Sequence, residues 1–366
     1  MTIAEAGIQG GRAMDERKDH LWKVAQEAEE RIEDLMKAGS NPVGLDVGTS
    51  KVVAAKRKGK EIDTGAQLNA FIPVPYSRFT ETILGQNEIS YYREGDELII
   101  YGTATEKFAN MFNANVRRPM ADGLINPKER SAMPVLEAIL QTLVPKARAQ
   151  GEVLAFSVPA AGEGHEAQLT YHEATLRRHF ESLGYRPVAI NEGLAVIFSE
   201  LEDNNFTGIG ISCGGGMCNV TLAYLSIPSM MFSITKGGDF IDAAVASVTG
   251  EQPTRVKVIK EDGLDLSKAP KDKYEKALRI YYEDLIESLV QKLQQSISQA
   301  DKLPRSDRPL PIVISGGTAK PRGFKEMFEK ALSSRSLPVE VSGVRTASDP
   351  LTATARGALI AALYEK

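Results

Sequence analysis

The spacing of apolar residues divides the chain into segments of two periods. Between Met14 and Ala38, Leu21, Ala25, Ala28, Ile32 and Leu35 recur at intervals of four and three, which predicts an amphipathic helix ended by Gly39. Its charges are interleaved, so it reads either as a helix packed on its own domain or as a short coiled-coil or partner-binding arm. After "GSNP" the pattern changes: "VGLDVGTSKVVAAK" is strand, tight glycine turn and strand. Strand-like runs Ile89–Arg93 and Glu97–Tyr101 flank "EGD", a hairpin signal. Helical spacing follows over Pro134–Ala147, with Val135, Leu136, Ile139, Leu140 and Leu143 on one face.

A second cycle runs from "EVLAFSVP" through an amphipathic helix over Glu166–Leu183, closed by Gly184, and returns as "RPVAINEG". The glycine-triplet hairpin "IGISCGGGMCNVTLAY" comes next. A long helix from Tyr274 to Ala300 is predicted to bury Leu278, Tyr281, Leu285, Leu289 and Leu293. The last cycle, "LPIVISGGTAKPRGF", is strand, Gly-Gly turn and helix, and "PLTATARGALIAALYEK" closes the chain as a small-residue helix. Repeated blocks of strands and helices argue for α/β architecture.

Length makes this two domains rather than one, since 366 residues with 42% hydrophobic content exceed one ordinary core. A net charge of -4 and a pI near 5.8 give no basic nucleic-acid footprint. No stretch approaches the ~20 apolar residues of a membrane span and the first residues lack the apolar core of a signal peptide, so a cytoplasmic location is expected. The two cysteines, Cys213 and Cys218, are too few for a disulfide framework or a four-thiolate zinc site and read as buried thiols. His165, His172 and His179 are spaced by seven, about 10.5 Å apart along a helix axis, too far to share an ion. They read as solvated or capping residues.

Candidate chemistry lies in three glycine turns, each after a β-run: Asp46–Ser50, Gly214–Gly216 and Gly316–Gly317. Glycine permits the crowded or positive-φ backbone that lets several N–H groups converge on one anion, although a plain hairpin also uses glycine. In the first turn Asp46 is a candidate to hold water on a magnesium ion, while Thr49, Ser50 and their amides face phosphate oxygens.

In order along the chain, "LDVGTSKVV", "RRPMADGLI", "SVPAAGEGHEA", "INEGLA", "GISCGGGMCNVTLAY", "KGGDFIDAAV", "VISGGTAKPRGF" and "SDPLTATARGALIAAL" resemble the actin, sugar-kinase and DnaK-type chaperone superfamily. Within it, "RPMADGLI" and "DPLTATARGA" are most similar to the bacterial actins MreB and MamK, and the likeness runs from Val43 to Leu363. The resemblance implies an actin-like ATPase fold: two related domains around a cleft that holds ATP or ADP with Mg2+, in a chain that polymerises with itself into filaments. We divide the chain accordingly into a helical extension (1–40), a first domain (41–150 with 351–366) and a second domain (151–350). The extension is a candidate contact for an adaptor or cargo protein.

The resemblance also assigns residues. Asp46, Gly48, Thr49 and Ser50 occupy the first phosphate loop, with Asp46 on the metal through water. Lys51 is either a further phosphate contact or a solvated strand charge. Glu166 matches the acid that orients the attacking water, against the alternative of an ordinary first-turn helix acid. Asn191 and Glu192 match a cleft-lining element with Gly193 in place of proline. Ser212, Gly214, Gly215, Gly216 and Met217 form the second phosphate loop, Lys257 matches a nucleotide-side lysine, and Gly316, Gly317 and Thr318 match the adenosine loop.

Two departures qualify this. Ser212 stands where the second loop carries aspartate, with Met217 and Cys218 in place of two threonines. A hydroxyl still bonds a metal-bound water but brings no charge, so binding is expected to survive and hydrolysis to be slow, since one lost polar group costs about 10²–10³-fold. Between Lys257 and Tyr274 only "VIKEDGLDLSKAPKDK" is available, so subdomain IIB is reduced. Both departures favour the alternative of a non-polymerising ATP-binding adaptor of the FtsA or PilM kind; the whole-length likeness favours a filament. A sugar kinase lacks its second acid, and a chaperone its substrate-binding domain.

Overall fold

A computed structural model describes residues 41–112, 116–162, 166–300, 303–304 and 308–365. The helix expected over Met14–Ala38 and His165 lie outside these residues. Two five-stranded mixed sheets dominate. The first has the order β10-β9-β1-β2-β3, from β1 (Val43–Val47), β2 (Lys51–Lys58), β3 (Glu61–Leu68), β9 (Glu152–Val158) and β10 (Tyr185–Asn191). The second has the order β13-β12-β11-β14-β15, from β11 (Gly208–Cys213), β12 (Cys218–Tyr224), β13 (Ile227–Ile234), β14 (Leu310–Ser315) and β15 (Val341–Thr346). In each, three strands form an antiparallel meander whose first strand then pairs parallel with the fourth, followed by the fifth. The two halves are therefore one topology used twice.

This moves the domain boundary. A division at residue 150 cuts the first sheet, because β9 pairs with β1 and β10 with β9. The physical reason is that a parallel pair needs a long crossover, here α4 (Glu166–Ser182) between β9 and β10, so sequence distance misleads about sheet membership.

The layers follow from burial. Leu45 and Val47 face a core shared with α3 (Ala132–Leu143) and α4, where Phe156 and Phe180 meet with ring centres 5.3 Å apart. Ile209, Ile211, Val220 and Leu222 face the second core, against α6 (Gly238–Thr249), α8 (Lys273–Gln299) and α9 (Phe324–Ser333). In α8, Leu278, Leu285, Leu289 and Leu293 are buried as expected, but Tyr282 rather than Tyr281 completes the stripe. Tyr282 stands four residues from Leu278, closer to one face of a 3.6-residue helix than Tyr281 three residues away from it.

Between the sheets lie two short helices, α5 (Glu192–Glu200) and α10 (Ala353–Tyr364), exchanged between the halves: α5 follows the first sheet and packs on β11 and β12, while α10 follows the second and packs on β1 and β9. Their crossing explains the small residues of the C-terminal segment. A Cβ on Gly357 would lie 1.7 Å from the Ala195 carbonyl oxygen, and one on Gly44 would lie 2.1 Å from the Leu359 nitrogen.

The remaining elements of the first half are a three-stranded sheet of β4 (Phe71–Pro75), β5 (Tyr91–Glu94) and β6 (Glu97–Tyr101), the helices α1 (Arg78–Gln86) and α2 (Ala104–Phe112), and the small β7 (Met120–Ala121) and β8 (Leu124–Ile125) pair. Among the described residues the second half has no matching insertion: α7 (Pro253–Glu261) reaches α8 through residues 262–272 without a named strand or helix.

His172 and His179 correct another expectation, because both are buried on α4. His172 Nδ1 accepts from the Ile125 amide at 3.3 Å, and burial lowers its pKa to about 4, so it is neutral. His179 lies 3.5 Å from Glu137 and edge-on to Phe180.

Candidate functional site

The two halves present the same hairpin to the space between them. In the first, the Gly48 amide donates to the Lys51 carbonyl at 3.1 Å; in the second, the Gly214 amide donates to the Met217 carbonyl at 2.9 Å. The ladders below are in matching register, Asp46 opposite Val53 and Val47 opposite Val52, against Ser212 opposite Asn219 and Cys213 opposite Cys218. Ser212 is therefore the positional twin of Asp46, so the loss of the second acid can be read from this chain alone.

The turns touch at their tips. A Cβ on Gly215 would sit 2.1 Å from Ser50 Oγ, and one on Gly216 would sit 2.5 Å from Thr49 Oγ1. That contact requires glycine. The carbonyls of the second turn are tied back: Gly214 accepts from the Gly238 amide at 3.1 Å and from Thr318 Oγ1 at 2.7 Å, and Gly215 accepts from the Asp239 amide at 2.8 Å. Among the described residues, the amides of Thr49, Ser50, Gly215 and Gly216 donate to no backbone acceptor. Unpaired turn amides from two touching turns are the donors an anion cradle uses.

Below the turns lies a pair of acids, Glu192 buried and Asp46 partly buried. Asp46 accepts from Ser157 Oγ at 2.9 Å, and Ser157 Oγ accepts from the Val47 amide at 3.0 Å. Burial raises the Asp46 carboxyl to about 6, partly offset by the Ser157 bond. Glu192 opens α5, placed by Asn191, whose side chain caps the helix by accepting from the Gly193 and Leu194 amides at 2.9 and 3.3 Å. Its carboxylate accepts from Ser212 Oγ at 3.0 Å. Burial and then repulsion from Asp46 raise it to about 8. Ser212 thus orients the acid that shares the site with Asp46. Among the described residues no three His, Cys, Asp or Glu side chains converge to hold a metal directly, whereas two acids destabilised by each other's charge are a donor set suited to a hydrated cation.

Side chains from both halves close the rim. Arg118 bridges Ser50 Oγ at 3.1 Å and Asp239 at 2.5 Å, linking the first turn to the start of α6. Lys257 pairs with Glu106 of α2 at 2.9 Å. Deeper, buried Lys260 pairs with Asp242 at 2.7 Å and donates to the Gly238 carbonyl at 3.0 Å, while burial lifts Asp242 to about 6. The third turn enters with Gly316 at φ 96, where a Cβ would lie 2.1 Å from the Cys213 carbonyl oxygen.

A cavity of about 740 Å³ runs through this space, within the range of small-molecule sites. The residues expected at the site line it, Lys51 and Lys257 included, except Asn191, which instead caps α5, and Glu166. Glu166 is exposed on the first turn of α4, whose buried face carries His172, Leu176 and Phe180, and it does not line the cavity. Sequence reading missed Arg118, Asp239, Asp242 and Lys260. The available signal was the three-residue interval from Lys257 to Lys260, which puts both on one face of α7.

The Volactin family profile matches residues 42–362. The chain belongs to the Volactin family. No curated protein matches it by sequence. Among solved structures, it is similar to the MamK double helical filament (TM-score 0.69, 16% identity, 89% of this chain and 99% of that one). It is also similar to MreB5 of Spiroplasma citri bound to AMPPNP (TM-score 0.62, 14% identity, 87% and 94%) and to the ethanolamine utilization protein EutJ from Carboxydothermus hydrogenoformans (TM-score 0.52, 17% identity, 92% and 99%). These likenesses establish for this chain an actin-like ATPase fold of the kind found in MreB and MamK, consistent with the duplicated sheets and cleft described above.

Proposed function

We propose that this protein is a prokaryotic, cytoplasmic actin-like cytoskeletal protein that binds ATP or ADP with Mg2+ in the cleft and polymerises into filaments that organise or position cellular components. The observation that carries the reading is the meeting of two twinned turns, whose tip amides have no backbone acceptor among the described residues, above the acids Asp46 and Glu192. Similar folds hold AMPPNP and ADP in MreB5 and form a filament in MamK. Mg2+ would be held by Asp46 through water and would neutralise phosphate charge. The amides of Thr49, Ser50, Gly215 and Gly216 would bind phosphate oxygens, Lys257 would leave Glu106 for the nucleotide, and the Gly316–Thr318 turn would carry the nucleoside.

Slow hydrolysis belongs to this reading. Ser212 supplies no charge and spends its hydroxyl on Glu192, and the expected water-orienting acid, Glu166, is exposed away from the cavity. The short 262–272 connection favours a second reading, an ATP-binding adaptor of the FtsA or PilM kind that does not polymerise. Titration calorimetry with Mg-ATP on wild type and Asp46→Ala, together with negative-stain microscopy with and without Mg-ATP, separates the two. Weakened binding in the variant and nucleotide-dependent filaments are expected. Binding without filaments under any condition would favour the adaptor, and equal affinity in the variant would remove Asp46 from the site.

A further inference from the structure

The only two cysteines of the chain face each other at the root of the second turn. Gly214 and Met217 are joined by a hydrogen bond, so the next pair down, Cys213 and Cys218, is of the non-hydrogen-bonded kind, whose Cα atoms are about 4.5 Å apart. That spacing falls inside the range a disulfide spans, about 4.4–6.8 Å. Both side chains lie on the core face of the hairpin beside Ile211 and Val220, both are fully buried and free, and the thiols are in hydrogen-bond contact. The first half meets the same packing requirement with Val47 and Val52. Packing therefore accounts for small apolar side chains here, and the paired thiols are an addition.

We propose that Cys213 and Cys218 are a dithiol modification site, closed to a disulfide by a small hydroperoxide, and that the closed form pins the second glycine turn. One sulfur attacks the peroxide oxygen, breaking the O–O bond and leaving a sulfenic acid and an alcohol, or water from hydrogen peroxide. The second sulfur displaces the sulfenic oxygen as water, forming the S–S bond. Two thiols lose two electrons and two protons, and the peroxide takes up both. The contact with the Cys213 thiol, and then burial, push the Cys218 thiol up, which makes the reaction slow in the closed hairpin and couples it to opening. The consequence reaches the cleft because Cys213 supplies the backbone against which Gly316 is seated, and Met217, adjoining Cys218, packs on Gly123.

The test treats the full chain, folded and reduced, with hydrogen peroxide and follows intact mass and thiol count. Closure is expected to lower the mass by about 2 Da, remove both thiols, leave the chain a single uncrosslinked species and reverse with a dithiol reductant. The Cys213→Val/Cys218→Val variant, which copies the first half, should fold and show no mass loss, and Cys218→Val alone should gain oxygen instead. Thiols that stay free, oxygen gain without the 2 Da loss in wild type, or closure only in denaturant would overturn the site. A second arm rests on the nucleotide reading: release of a fluorescent ATP analogue should slow about threefold or more in the oxidised form. An unchanged rate would overturn the pinning, whereas an analogue that never binds the reduced chain would count against the nucleotide reading and leave the mass result to decide the disulfide.

Discussion

Replacing Glu192 by glutamine should remove a pH liability built into the cleft. The acid is buried, faces Asp46 and has its carboxyl raised from the ordinary 4.5 to about 8. A raised carboxyl favours the folded state while protonated; that stability is fully present below the unfolded value and is lost as pH rises through the folded one. The window is therefore about pH 4.5 to 8. At about 1.4 kcal/mol per pH unit the loss has a ceiling of about 5 kcal/mol. Asp46, raised to about 6, shares part of the same repulsion, so the pair is expected to deliver about half the ceiling or more. At about 2 °C per kcal/mol, thermal denaturation in EDTA should fall by about 5–10 °C for wild type between pH 4.5 and 9. Glu192→Gln, which still accepts from Ser212, should lose less than half as much. Adding Mg2+ should shrink the wild-type drop. An identical drop in the two proteins would refute the reasoning, because it would mean that Glu192 is ionised and solvated across the range.

Gly357→Ala should cost about 3 kcal/mol or more despite alanine's better helix propensity, because the new Cβ would meet the Ala195 carbonyl oxygen at 1.7 Å; a variant that melts at or above wild type would mean the crossing yields. Ser212→Asp should raise the rate of phosphate release from Mg-ATP with little change in affinity, and, by adding a third acid to the pair, should lower the melting temperature without Mg2+. Unchanged turnover would show that Glu192 already fills the role. Deleting residues 1–39 should leave ATP-analogue affinity within about twofold and change filament bundling or partner recruitment; lost binding in a chain that stays folded would place the helix in support of the cleft.

The parts of the molecule legible in the sequence are those where local chemistry leaves few options. Gly48, Gly214–Gly216 and Gly316 stand where a side chain would strike backbone or a turn hydroxyl, so turn signals found the cavity lining. Histidine polarity suggested solvent, yet His172 and His179 are held neutral inside a helix face, which spacing by seven does not reveal. Glu166 begins a helix as expected, but the direction of that first turn depends on which face of α4 the sheet covers. The boundary at residue 150 failed for the same reason: parallel pairing joins β1 to β9, more than a hundred residues away. Lys260 and Asp242 needed the fold to bring α6 and α7 together.

The crossing of α5 and α10 has a mechanical meaning. Each helix belongs by sequence to one half and by packing to the other, and at their contact side chains have been stripped away until backbone meets backbone at Gly357 and Ala195. Side chains absorb displacement by changing rotamer; backbone in van der Waals contact cannot. The joint therefore behaves as an axle without play. Any opening of the halves would then be confined to rotation about it, so that small displacements at the twinned turns would become a lever movement at the outer ends of the two sheets.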